Sequence, residues 1–113
     1  MTNWVQAALT KDVSDDSIQQ LNINGCKVAL YRCGEEYFAT SDVCTHAYAL
    51  LSDGWLDGYE IECPLHGARF DVRTGAALTS PAETALATYP VRVVGDAVEI
   101  DVTSAPSNPD AST

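Results

Sequence analysis

With 113 residues, 46% of them hydrophobic, the chain has the length and composition of one globular domain, which buries roughly two-thirds of its unfolded surface. Sixteen acidic residues against six basic ones give a formal charge of -10, which argues against nucleic acid as a partner, because phosphates would be repelled, and suits a protein that meets basic partners. No apolar run approaches transmembrane length, and the N-terminus lacks the basic start and apolar stretch of a signal peptide, so a cytoplasmic protein with no membrane association is expected.

Residues 4–8 read as a short opening strand and the polar run 12–17 as a connector with a helical turn. Residues 18–23 and 27–32 flank Asn24-Gly25, a dipeptide that accepts the positive φ angles of a type I′ turn, which predicts an antiparallel hairpin. After Gly34-Glu35-Glu36, residues 37–40 form another strand and lead into Cys44-Thr45-His46. Residues 55–58 read as a turn, with Trp55 assigned to the core, and 59–62 alternate into Cys63-Pro64-Leu65-His66. Residues 69–71 leave as a short strand, and Thr74-Gly75 turns the chain back. The stretch 76–87 has little pattern and contains Pro81, so it reads as an irregular crossing. Residues 89–94, Gly95-Asp96 and 97–102 form a closing hairpin, and 103–113, rich in Ser, Pro, Asn and Asp, read as a frayed tail. There is no internal repeat and no sustained helical periodicity. The expected fold is all-β, with one domain over residues 1–102 and a flexible tail over 103–113.

The chemistry concentrates between residues 44 and 66. Cys44 and His46 stand in one half, Cys63 and His66 in the other, and these are the only two histidines in the chain. Thiolate sulfur and imidazole nitrogen suit zinc or an iron-sulfur centre. One reading is a tetrahedral structural zinc. The other is a [2Fe-2S] cluster with two Cys on one iron and two His on the other. Zinc fingers usually keep Cys with Cys and His with His, whereas each half here pairs one of each, and that alternation favours the cluster.

The remaining cysteines, Cys26 and Cys33, bracket the alternating run 27–32. On a straight strand they lie about 23 Å apart at ~3.3 Å per residue, beyond the ~7 Å that a disulfide tolerates. Both are expected as free, inert thiols. Between Arg32 and Arg69 there is no Lys or Arg, while Glu35, Glu36, Asp42, Asp53, Asp57, Glu60 and Glu62 fall there. Acids around a metal centre serve solubility or docking by complementary charge, and both readings stand at this point.

Cys44-Thr45-His46, Ser52-Asp53-Gly54, Ile61-Glu62-Cys63-Pro64-Leu65-His66-Gly67 and Phe70-Asp71-Val72-Arg73-Thr74-Gly75 together resemble the Rieske ferredoxins of bacterial aromatic-ring-hydroxylating dioxygenase systems. Ala47 departs from the pattern, since such ferredoxins often carry Gly there. The resemblance, over roughly residues 3–102, implies stacked small antiparallel sheets with one Rieske-type [2Fe-2S] cluster held by two loops at one end. It implies Cys44 and Cys63 on one iron and His46 and His66 on the other. The implied role is an electron carrier between an NAD(P)H-dependent ferredoxin reductase and a terminal oxygenase, with no substrate chemistry of its own. The absence of a dinucleotide Gly fingerprint and of further histidines for a mononuclear iron site agrees with that role. High-potential relatives add a loop-joining disulfide and hydroxyl donors, but the matching positions here are Ala49 and Leu65, then Ala68 and Phe70. A potential near the low end of the class, about -150 mV, is therefore expected. Two other readings are a small subunit of a larger enzyme such as nitrite reductase, and a zinc-stabilised interaction module.

Overall fold

A computed structural model of the chain describes residues 4–44, 49–65, 67–79 and 85–102. Its strands are β1 (Val5–Leu9), β2 (Ser17–Ile23), β3 (Cys26–Cys33), β4 (Glu36–Ser41), β5 (Trp55–Asp57), β6 (Glu60–Glu62), β7 (Arg69–Asp71), β8 (Thr88–Tyr89), β9 (Val91–Val94) and β10 (Ala97–Ile100). Short 3-10 turns at Thr10–Asp12 and Leu51–Asp53 complete the regular structure of the described residues. No helix there is long and apolar enough to cross a membrane.

The strands form three antiparallel sheets, ordered β1-β10-β9, β2-β3-β4-β8 and β5-β6-β7. The β2–β3 hairpin closes on Asn24 and Gly25, at φ 52° and 86°, between the paired Ile23 and Cys26, as the turn chemistry of that dipeptide predicts. β3 explains how the sheets stack. Val28, Ala29, Leu30 and Tyr31 are all buried, because the strand has a core on each face. Val28 and Leu30 belong to a core with Val98, Ile100 and Tyr89, whereas Ala29, Tyr31 and Cys33 belong to one with Leu51, Ile61, Phe70, Cys44 and Cys63. Successive side chains on a strand point to opposite faces, so the β2-β3-β4-β8 sheet is the middle layer. The β5–β7 unit is inserted between β4 and β8, which pair with each other through Ala39↔Tyr89 and Thr40↔Thr88.

The structure corrects three sequence expectations. Residues 55–57 are strand, and the turn follows at Gly58-Tyr59. Trp55 is not in the core but 60% exposed, since Leu56 takes the inward position of β5 and packs on the core beside Ile61 and Phe70. The strand expected over 89–94 is split at Pro90: β8 pairs with β4 and β9 with β10. Proline has no N–H for the ladder, so the chain changes sheets there. Cys26 and Cys33 are free thiols, and burial pushes Cys33 up to about 11. The expectations for Ala47, for Pro81 within the irregular crossing and for the tail over 103–113 lie outside the described residues.

Candidate metal centre

Two loops open from the β5–β7 side of the middle sheet, and each begins at a cysteine. After β4, Val43 bridges Leu50 and the Cys44 N–H donates to the Ala49 carbonyl at 3.0 Å. After β6, the Cys63 N–H donates to the Ala68 carbonyl at 2.7 Å, just beyond the Glu62↔Arg69 pair. Both loops are thus closed in the same way, by a cysteine amide bonded to the carbonyl five residues on. The two thiols are 3% and 0% exposed. They are unbridged and within hydrogen-bonding reach of each other.

The seam between the loops is built by Ser52-Asp53-Gly54. The Asp42 carboxylate, wholly buried, accepts the Ser52 N–H and the Ser52 Oγ–H, each at 2.7 Å. Two residues on, Gly54 lies so close to the last residue of β6 that a Cβ built on it would fall deep inside contact distance of the Glu62 carbonyl oxygen and 3.1 Å from its carbon. Only glycine fits, and Glu62 is the residue before Cys63. On the outer face of the β5–β7 sheet, Arg69 bonds Glu60 and Glu62 at 3.0 Å each and lies 3.8 Å from Asp57. Tyr59 joins this unit to β4: its hydroxyl bonds Glu36, its ring meets Phe38 edge-on at 5.9 Å, and the Arg73 guanidinium stacks on it at 4.3 Å.

Burial pushes the Cys63 thiol up to about 11, the Leu65 N–H pulls it down, and contact with Cys44 pushes it up again. A metal ion would deprotonate both, and two adjacent, unbridged sulfurs at the mouths of two loops fit an iron that takes two thiolates. Of the four expected ligands, Cys44 and Cys63 are brought together, while His46 and His66 lie outside the described residues. Among the described residues no group of three or more metal-binding side chains forms. Leu65, in the second loop between Cys63 and the Ala68 carbonyl, is 42% exposed. Asp42, counted by its sequence among surface acids, is internal instead; the Ser52-Asp53-Gly54 motif carried the signal for this seam but not its explanation.

A middle sheet flanked by two smaller ones, with two Cys-headed loops at one end, is the arrangement of a Rieske iron-sulfur domain, and the Rieske [2Fe-2S] domain family matches residues 3–90. The chain belongs to that family, whose cofactor is one Rieske-type [2Fe-2S] cluster. It is 46% identical over 91 residues to the ferredoxin component of the naphthalene 1,2-dioxygenase/salicylate 5-hydroxylase systems of a Ralstonia species, covering 80% of this chain and 88% of that one. It is 43% identical over 108 residues to the ferredoxin component of the p-cumate 2,3-dioxygenase system of Pseudomonas putida, covering 94% and 92%. Among solved structures it is similar to a chain in the complex of reduced oxygenase and oxidized ferredoxin of carbazole 1,9a-dioxygenase, with a TM-score of 0.83, 38% identity and coverage of 87% and 92%.

Proposed function

We propose that the protein is a one-electron carrier of an aromatic-ring-hydroxylating system, taking electrons from an NAD(P)H-dependent ferredoxin reductase and delivering them to a terminal oxygenase in the cytoplasm. It does not act on the aromatic substrate. In this reading residues 1–102 are the electron-transfer domain and 103–113 a tail, and the cluster is held by Cys44 and Cys63 on one iron and His46 and His66 on the other. The observation that carries the reading is the pair of buried, unbridged thiols of Cys44 and Cys63 meeting at the heads of two similarly closed loops. When bound, the cluster supplies reversible uptake of one electron, at a potential that its two neutral imidazole ligands raise above that of a four-Cys centre.

The chain's own residues then set how far that rise goes. The Leu65 N–H donates to the Cys63 sulfur, which favours added negative charge. Ala68 and Phe70, both fully buried, exclude water but offer no hydroxyl, and Ala49 and Leu65 offer no disulfide. The balance supports the low end of the class, about -150 mV. Partner docking is supported by the surface around the second loop, where Trp55 and Leu65 are 60% and 42% exposed and Asp53 and Asp57 face solvent. The similar ferredoxins named above belong to dioxygenase systems, and one such system has a ferredoxin–oxygenase complex.

The test is reconstitution. With reductase, oxygenase and NAD(P)H, this protein should be required for substrate oxidation, and its rate of electron delivery should fall as salt shortens the Debye length from about 30 to about 3 Å. No dependence of turnover on the protein would overturn the carrier role, and a rate indifferent to salt would remove steering by acidic residues from it.

A further inference from the structure

Asp42 is fully buried and stands two residues before Cys44 in the chain. A buried carboxylate is costly unless donors are well placed around it. Each of its side-chain partners donates: the Ser52 N–H to Oδ1 at 2.7 Å, the Ser52 hydroxyl to Oδ2 at 2.7 Å, and Gln20 Nε2 to Oδ2 at 3.4 Å. Gln20 Nε2 also donates to Ser52 Oγ at 3.2 Å, so the hydroxyl accepts from Gln20 and gives its own proton to Asp42. Among the described residues, then, both side-chain oxygens of Asp42 are engaged as acceptors. The main chain is engaged as well. The Asp42 N–H donates to the Lys27 carbonyl at 2.9 Å, and its carbonyl accepts the Leu51 N–H at 2.7 Å. One residue therefore ties the segment before Cys44 to the segment after Ala49, and both to β2 and β3.

We propose that Asp42 is a positioning residue for the cluster: it clamps the two ends of the first ligand loop and so holds Cys44 in place. The proposal rests on Cys44 being a ligand. Two residues of chain span at most about 7 Å, so the Asp42 backbone lies within one loop's depth of the Cys44 sulfur's anchor. A clamp behind a metal ligand acts on retention of the metal in the same way that partners of ligating side chains do.

The experiment compares the holoprotein with Asp42→Asn and Asp42→Ala. Asp42→Asn keeps the shape and an acceptor for the Ser52 N–H, so it should retain iron and protect the Ser52 amide nearly as well as the unsubstituted protein. Asp42→Ala removes the clamp, so iron should pass to a chelator about ten- to a hundredfold faster, the scale on which such partners act. Its Ser52 amide should also exchange hydrogen faster, while the Val98 amide in the opposite core stays protected. Unchanged iron loss and Ser52 exchange in Asp42→Ala, or iron loss in Asp42→Asn as fast as in Asp42→Ala, overturns the proposal. Should Asp42→Ala fail to fold, Ser52→Ala, which takes only the hydroxyl from the clamp, replaces it in the iron-loss measurement, with faster loss expected and unchanged loss overturning the clamp. Absence of a mixed-ligand resonance from the unsubstituted protein would overturn the ligand assignment instead, and Ser52 exchange, which needs no cluster, still tests the clamp.

Discussion

Gly54 shows how much a missing side chain can decide. It lets the Leu51–Asp53 turn settle against the Glu62 carbonyl, and so fixes the spacing between the two cysteine-bearing loops. In Gly54→Ala a methyl group would have to displace main chain rather than a pliable side chain, so denaturant unfolding should show a loss of about 1–3 kcal/mol. Cluster content on purification should fall with it; unchanged stability would mean that the seam is looser than described. At this scale the sequence was partly legible. Cys44 and Cys63 announced themselves by their spacing to the only two histidines. Asp42 did not, because in sequence it is one of several acids between Arg32 and Arg69, and only the register of β3 and β4 turns it inward. Trp55 misled for the opposite reason: a large aromatic side chain suggests burial, but a three-residue strand has room for one inward side chain, and Leu56 takes it.

Among the elements, the tight turn after β7 holds the second loop's far end. Asp71 accepts from the Arg73 N–H at 2.8 Å and from its guanidinium at 3.1 and 2.9 Å, and it returns the chain through the Gly75 N–H to its own carbonyl at 2.7 Å. The Arg73 hydrogen bonds hold the Asp71 carboxyl below its ordinary value. A carboxylate with a depressed folded pKa stabilises fully above its unfolded value of about 3.9, and that contribution is lost as pH falls through the folded value. Urea unfolding should therefore find Asp71→Asn less stable than the unsubstituted protein by a constant margin at pH 5–7, shrinking below about pH 4. A margin unchanged down to pH 2 would remove the charge from the explanation. Hairpins such as β2–β3 were readable because turn chemistry and alternation agree locally. The division at Pro90 was not, since alternation continues through it while its two sides join different sheets.

The whole molecule combines a structural half with a chemical half. The β1-β10-β9 sheet closes one face of the middle layer with aliphatic side chains, while the inserted β5–β7 unit closes the other, in whose core both thiols lie. Short antiparallel strands followed from alternation and turn residues, and their stacking in small sheets from the family resemblance. Their order did not, because it depends on β8 returning from a patternless crossing to pair with β4. The charge of -10 is likewise uneven in its use: Asp42 is internal and Glu60, Glu62 and Asp57 are gathered around Arg69, while Glu35 and Asp53 face solvent. The central claim, a mixed Cys/His iron-sulfur centre tuned for low-potential electron transfer, is tested most directly by electron paramagnetic resonance of the dithionite-reduced protein during a redox titration. The predicted result is a low-average-g Rieske signal appearing near about -150 mV. A silent spectrum from protein containing stoichiometric zinc would contradict it.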